Sequence, residues 1–389
     1  MQMPSQHHQP DLIYLNNAAT TWPKPPEVLE EVTSCIRMPV HEAGRTTGTG
    51  TPDYPSTTRD ALAAFFHAGP PEHFIFTQNA TDALNLLIHG FAKHTGIPFH
   101  AITTELDHNS VLRPLTTLEQ DGTLTLSVVP FNNAVVDLGA IKKAIQPETR
   151  LVVMTHGSNV LGSLQDIKTI AEYLHANDIF FIVDGAQTAG HVTVDLFDLP
   201  IGAYVFTGHK ALFGIPGIGG FYIPEPDAIV TTRQGGTGTD SRMLTQPSGM
   251  PERFEVGTPN YPGIASLLAG IRFINEAGLD EIERKGKELT GRFIRELKNT
   301  PGVTLYSDVP DLPVVSFNIN NFDNNEAGFI LSRAYTIITR TGLHCAPLVH
   351  ERIDGGRGCV RASFSYFNTR EEIATAAAAI REVAQSADR

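Results

Sequence analysis

The sequence predicts an α/β protein, with a mainly parallel, doubly wound sheet in a large domain and a smaller α+β domain beside it. Two observations carry this. Short apolar runs alternate with segments of helical period through the middle of the 389 residues. After about residue 262 the texture changes to longer amphipathic stretches and separate strands. A strand covered on both faces reads as a continuous apolar run, whereas the helix covering it repeats every 3.6 residues.

The elements follow in order. Phe74-Ile75-Phe76 reads as a strand, and the helix after it carries Leu84, Leu87, Ile88 and Phe91 on one face. Leu151 to Met154 is the next apolar run, and Ile167, Ile170, Ala171 and Leu174 repeat the helical spacing. Ile179 to Val183 and Ala203 to Phe206 are two further strands of buried type. The Pro- and Gly-rich stretch from Gly257 to Gly263 is the junction. Beyond it, Ile264, Leu267, Leu268 and Ile271 open one helix, and Ile282, Leu289, Phe293 and Leu297 mark a second. Val314 to Phe317 reads as a strand. Thr369-Arg-Glu-Glu372 is a capping box ahead of Ile373, Ala376, Ala377 and Ile380. The large domain is thus expected at 18–262, and the small one at 1–17 together with 263–389.

Composition narrows the class of function. The chain has 29 basic and 42 acidic residues, a formal net charge of −13, with 18% charged and 41% hydrophobic residues. That is too apolar and too sparsely charged for disorder, and the acid excess argues against a general nucleic-acid binder. Cys35, Cys345 and Cys359 are too few and too scattered for a disulfide framework, and no CxxC occurs. The first ten residues lack a basic and an apolar region, and no apolar run approaches the ~20 residues of a membrane span. A soluble, cytoplasmic protein is expected, with no nucleic-acid or membrane partner. His7-His8 reads as part of a tail rather than as a ligand pair.

Ligands of open α/β sheets gather at the carboxyl ends of strands. Three such ends carry polar residues ill suited to packing: Asp184-Gly185-Ala186-Gln187, Thr207-Gly208-His209-Lys210, and Thr77-Gln78-Asn79-Ala80-Thr81-Asp82 ahead of a helix. Pyridoxal phosphate needs this set. Its aldehyde takes a lysine amine, its pyridinium nitrogen a carboxylate, and its phosphate a helix N-terminus with hydroxyls. Lys210, Asp184 and the Ala80–Thr81 region supply these in turn. Singly, a strand-end aspartate is usually a cap and a lysine a surface charge. Their coincidence at three strand ends favours the cofactor.

Six segments carry a resemblance: YLNNAATTWPKP from Tyr14, TELDHNSVLRP from Thr104, SNVLG from Ser158, VDGAQTAGH from Val183, FTGHKALFGIPGIGGFY from Phe206 and RTGLHCAP from Arg340. In order and over nearly the whole chain, they resemble the class V aminotransferase superfamily. Within it they are closest to cysteine desulfurases and selenocysteine lyases whose active-site cysteine sits in a short R-x-G-x-H-C-A loop. The resemblance implies a fold-type-I enzyme with pyridoxal 5'-phosphate on Lys210. It also implies that His108 stacks on the cofactor ring, Asp184 pairs with the pyridine nitrogen, and Gln187 bonds the phenolic oxygen. Thr81, Thr207 and His209 would hold the phosphate. Asn159 would approach the substrate, and Arg361 would clamp its carboxylate, as a bidentate guanidinium does well. Thr258, in RFEVGTPNYPG, would reach the phosphate of a neighbouring subunit, which implies a homodimer with shared active sites.

Cys345 discriminates within the family. Free cysteines are mostly buried small hydrophobes, which suits Cys35 in the helical VTSCIRM and Cys359 at a strand start. Cys345 lies between Gly342 and Pro347 beside His344, in a loop where a reactive thiolate is expected. A zinc site from His344, Cys345, His350 and Cys359 matches no common spacing, so no metal is expected. Many relatives carry a second histidine where this chain has Leu343. The glycines of Gly217-Ile-Gly219-Gly220 and Gly236-Thr-Gly238 do not complete a dinucleotide fingerprint and read as loops. The leading expectation is a desulfurase that turns L-cysteine into L-alanine through a persulfide on Cys345, serving a sulfur-acceptor protein. A selenocysteine lyase, a transaminase or eliminating lyase, and a non-catalytic dimeric scaffold are the alternatives.

Overall fold

The computed structural model describes residues 12–39, 52–239 and 241–386; His7 and His8 lie outside the described residues. The first part of the chain runs through β1 (Ile13–Tyr14), α1 (Pro26–Arg37), α2 (Tyr54–Phe65), β2 (Phe74–Thr77), α3 (Ala80–Thr95), β3 (Phe99–Thr104), α4 (Asn109–Gln120), β4 (Leu124–Val129), α5 (Leu138–Ala144), β5 (Thr149–Thr155), α6 (Ile167–His175), β6 (Phe180–Asp184), β7 (Ala203–Thr207) and β8 (Gly219–Tyr222). Seven of these strands form one sheet in the order β2-β8-β7-β6-β5-β3-β4. All run parallel except β8, which is antiparallel to both neighbours.

Alternate side chains of each strand enter two separate cores, so both faces of the sheet are dry. Val152, Met154, Phe181, Val183, Tyr204 and Phe206 pack with Leu62 of α2 and Ile170 and Leu174 of α6. Leu151, Val153, Ile182, Ala203 and Val205 point the other way, into Leu84, Leu87 and Phe91 of α3 and Val111 and Leu115 of α4. The apolar runs in the sequence are therefore strands buried on both sides. The chain winds from β3 to β4 in one direction and from β5 through β7 in the other. The switch lies between β3 and β5, where ligands of open sheets bind.

The second part contains α7 (Tyr261–Ala277), α8 (Leu279–Leu297), β9 (Val303–Leu305), β10 (Val314–Ile319), α9 (Asn324–Tyr335), β11 (Ile337–Ile338), β12 (Arg340–Gly342), α10 (Pro347–Ile353), β13 (Cys359–Ser363) and α11 (Arg370–Ser386). The antiparallel sheet β12-β13-β10-β9 packs against α8, α9 and α11 around a third core that includes Phe293, Phe317, Val360 and Ile380. Strand β1 pairs with β11, tying the start of the described chain to this part. The apolar face of α7 belongs to the large-sheet core and packs against α1 and α2. At α11 the capping box is complete: Glu372 N–H donates to Thr369 Oγ1 (3.1 Å), and Thr369 N–H donates to Glu372 Oε2 (2.9 Å).

One sequence reading is corrected. Gly219-Gly220 is not a loop but the start of β8. A Cβ on Gly220 would lie 2.3 Å from the Ile75 carbonyl oxygen, and one on Gly219 2.8 Å from Asn79 Cα. The glycines are there for close packing inside the sheet. Gly217, at φ 95°, does occupy a turn that favours glycine.

Candidate active site

The carboxyl ends of β2, β5, β6 and β7, with the start of α4, enclose one crevice. Its walls include Ala80, Thr81, His108, Asn159, Asp184, Gln187, Thr207, His209, Lys210 and Arg361. Ten of the residues singled out in the sequence therefore converge, from segments more than two hundred positions apart. Cys345 and Thr258 are not among the wall residues.

Lys210 follows β7 in a tight turn. Burial pulls its ammonium down to about 8, against the opposing pull of the Asp184 charge and with the help of Arg361 and Arg340. Asp184 ends β6. Burial raises its pKa, while the Ala186 N–H (2.9 Å to Oδ1) and Lys210 hold it down. A lysine with an accessible neutral form thus shares the crevice with a buried carboxylate. His108 caps α4: its Nδ1 accepts from Ser110 N–H (3.1 Å), which leaves the ring hydrogen on Nε2. Burial, then Lys210, keep His108 neutral, with a pKa of about 4.

The anion-binding end is formed by α3. Asn79 Oδ1 caps it by accepting from Asp82 N–H (3.0 Å), and Ala80 and Thr81 open the first turn toward the crevice. Thr207 Oγ1 and His209 Nδ1 are buried with no partner among the described residues. Arg361, on β13, is 1% exposed; its Nη1 donates to the Asn159 carbonyl (2.8 Å), but its Nε and Nη2 have no partner among the described residues. Buried polar groups are rarely left unpaired. Hydroxyl, imidazole and guanidinium groups waiting in one crevice fit a ligand that brings a phosphate and a carboxylate. Pyridoxal phosphate with an amino acid matches that demand.

Three of these residues have further contacts or surroundings of their own. Gln187 already donates Nε2–H to the Ala18 carbonyl (3.0 Å), so one of its amide hydrogens is engaged by protein. Asn159 donates to the His344 carbonyl (2.8 Å), bridging the end of β5 to the Cys345 loop. Thr258 lines a separate hollow with Gln78, Asp82, Arg233 and Asn260.

Cys345 stands beside the crevice wall and is half-buried. Its carbonyl accepts from Asn109 N–H (2.7 Å), next to His108, and its Sγ lies 3.7 Å from Arg340 Nη2. Cys35 and Cys359 are buried. Sequence reasoning missed Arg340, a wall residue that faces the thiol, although it heads the cysteine-bearing segment. It also missed Asp107. That carboxylate accepts from Thr103 and Thr104 hydroxyls, from Thr104 N–H and from Thr155 N–H (2.6 Å), locking β3 to β5 under His108. An acidic residue directly before the histidine at a strand end was the available signal.

A family model for class-V aminotransferases matches residues 13–375. A probable cysteine desulfurase of Halalkalibacterium halodurans is 32% identical over 371 residues, covering 93% of this chain and 90% of that one. One from Methanothermobacter thermautotrophicus is 31% identical over 391 residues, covering 96% and 95%. The apo structure of a cysteine desulfurase from Thermococcus onnurineus NA1 superimposes with a TM-score of 0.89 at 30% identity, covering 97% of this chain and 96% of that one. The fold-type-I architecture expected from the resemblance is the one observed. The chain therefore belongs to the class-V aminotransferase family of enzymes and shares its whole architecture with a cysteine desulfurase.

Proposed function

We propose that the chain is a pyridoxal-phosphate-dependent desulfurase that converts L-cysteine to L-alanine, leaving the sulfur on Cys345. The observation that carries this reading is the half-buried Cys345 thiol set beside a crevice that already holds Lys210, Asp184 and the half-unpaired Arg361. Names of relatives at about a third identity support it.

Lys210 would carry the cofactor, Asp184 would face its ring nitrogen, and Ala80, Thr81, Thr207 and His209 would hold its phosphate, with Gln187 and His108 along the ring. Bound there, pyridoxal phosphate supplies an electrophilic carbon for the substrate amine and a ring that accepts electrons from the substrate Cα. Arg361 turns its free Nε and Nη2 to the substrate carboxylate, and Asn159 lies next to it. Lys210 Nζ takes the Cα proton, a role suited to an amine with a pKa near 8. Cys345 gives up its proton and its sulfur bonds the substrate sulfur, while the substrate C–S bond breaks. The carbon fragment takes a proton at Cβ in place of the one the thiol gave up, regains at Cα the proton held by Lys210, and leaves as alanine. Arg340 Nη2, 3.7 Å from Sγ, is placed to donate to the sulfur.

Thr258 would act on a second copy of the chain. Its place away from its own crevice agrees with a homodimer in which each subunit completes the partner's site. Sulfur would pass from Cys345 to an acceptor protein. Among the described residues no helix is long and apolar enough to cross a membrane; with three free cysteines and an acidic balance, we place the enzyme in the cytoplasm.

The deciding experiment compares wild type with Cys345→Ala on L-cysteine and L-selenocysteine, measuring alanine. The variant is expected to keep the visible absorbance of the lysine-bound cofactor and to lose alanine formation from cysteine by about a thousandfold. Cysteine turnover unchanged in the variant would refute the persulfide step. Selenocysteine turnover that survives, with wild-type cysteine turnover negligible, would reassign the enzyme to selenium.

A further inference from the structure

The loop that presents Cys345 is bent in a way that ordinary residues resist. His344 and Cys345 follow one another at φ 49° and 58°, in the left-handed region that favours glycine. Such strain persists only where the surroundings hold it. The His344 ring is buried, at 2% exposure, and both its nitrogens are occupied. Nε2 lies 3.2 Å from the Arg340 carbonyl, and Nδ1 lies 3.3 Å from His350 Nε2. His350, on α10, has its Nδ1 2.6 Å from Asp354 Oδ2, and both of those side chains are completely buried. The other Asp354 oxygen accepts from Gly358 N–H (3.2 Å).

The proton positions follow from the acceptors. A carbonyl only accepts, so His344 carries hydrogen on Nε2 and its Nδ1 is an acceptor. His350 Nε2, 3.3 Å away, satisfies it by donating. At the other end of the His350 ring, one hydrogen bridges Nδ1 and Asp354 Oδ2 across 2.6 Å. The chain Asp354–His350–His344 is then fully satisfied, which is what a buried polar network needs. Cys359 Sγ also comes within 3.9 Å of His344 Nδ1, so three potential metal-ligand atoms converge. Burial pushes that thiol up to about 12, which keeps it a neutral S–H in the absence of a metal. A proton already accounts for both imidazole contacts.

We propose that Asp354 and His350 are positioning residues for sulfur transfer, a buried hydrogen-bonded strut that braces the His344 ring and holds the strained turn presenting Cys345. The inference rests on the desulfurase reading for its activity arm only. Nothing in the general motif of the cysteine loop requires it, since His350 and Asp354 lie past the R-x-G-x-H-C-A segment.

The test uses the holoenzyme with Asp354→Asn and, as a second variant, His350→Gln, whose amide can still donate to His344. Three quantities are read: visible absorbance of the cofactor, kcat and KM for alanine formation from L-cysteine, and the rate at which iodoacetamide labels Cys345, followed by mass spectrometry. Asp354→Asn is expected to keep the absorbance and a KM near wild type, to lower kcat about tenfold, and to change the Cys345 labelling rate by at least a similar factor. His350→Gln is expected to fall between the two. Wild-type kcat and labelling rate in both variants would overturn the strut. So would loss of cofactor absorbance and of fold in both, which would make the network a general core element. One equivalent of zinc in the wild-type holoenzyme, lost in Cys359→Ser, would overturn it in favour of a metal site. Should wild type make no alanine from cysteine, the desulfurase reading fails and the labelling rates alone decide the strut.

Discussion

Single residues in this crevice are tuned by what they are denied. Lys210 is denied water, so its amine is half neutral near pH 8 rather than above 10. Only the neutral amine attacks an aldehyde. The rate at which cofactor-free protein takes up pyridoxal phosphate is therefore expected to rise about tenfold per pH unit up to pH 8 and level off above it. A stopped-flow series in absorbance checks this, and a flat profile from pH 6 to 9 would contradict it. His156, just past β5 and outside the crevice wall, is 8% exposed, its Nδ1 has no partner among the described residues, and burial lowers its pKa to about 4. The unfolded chain binds that proton below about 6.5, and the folded chain only below about 4. Stability is thus lost as pH falls through this window, by on the order of 3 kcal/mol at its acid end. In His156→Asn this contribution is absent, so the stability difference between wild type and variant should shift against wild type between pH 6.5 and 4. Urea melts across that range give the sign.

At the level of elements, the strand–turn–helix from β2 into α3 and the small strand β8 make the phosphate end together. Gly219 lets β8 lie against the Asn79 backbone, where a Cβ would come within 2.8 Å of Cα. Gly219→Ala is expected to push the first turn of α3 away from Thr207 and weaken pyridoxal phosphate binding on the order of tenfold, with the Lys210 chemistry retained at saturating cofactor. Titration of the visible band measures it, and an unchanged affinity would show that α3 tolerates the shift.

What could be read from sequence follows the same division. Strands β2, β5, β6 and β7 were legible because both their faces are dry, leaving uninterrupted apolar runs. Strand β3 (FHAITT) was not, because His100, Thr103 and Thr104 are buried polar residues that break the apolar run: His100 is satisfied by Thr149 and Ser127, distant in sequence, and the threonines by Asp107 just past the strand. Edge strand β4 has exposed positions that break the run, and β8 hides behind two glycines. In the site, residues that meet at strand ends could be anticipated from chemistry. Asp107 left only a local signal, an acid before a histidine, and the roles of Arg340 and the His350–Asp354 pair lie in whom they touch in the fold.

For the whole molecule, the separation of Thr258 from its own crevice gives the test of assembly. The protein should sediment as a dimer. Lys210→Ala chains mixed and reassembled with Thr258→Val chains at limiting cofactor should recover about a quarter of wild-type sites, because each mixed dimer contains one intact combination. No recovery above either parent would argue for self-contained subunits.

The reversed strand β8 has a bearing on how the enzyme comes into being. In the finished sheet Thr77, Gly219 and Thr207 sit side by side in one row, with β8 inserted between β7 and the much earlier β2. Until those few residues are threaded into place, β2 has no strand partner among the described residues, and the start of α3 lacks the Gly219 backbone it lies against. On the ribosome the phosphate cradle therefore cannot exist before β8 has emerged, however long β2 and α3 have been waiting. On the proposed site, cofactor capture is expected late in synthesis, once the central sheet has closed.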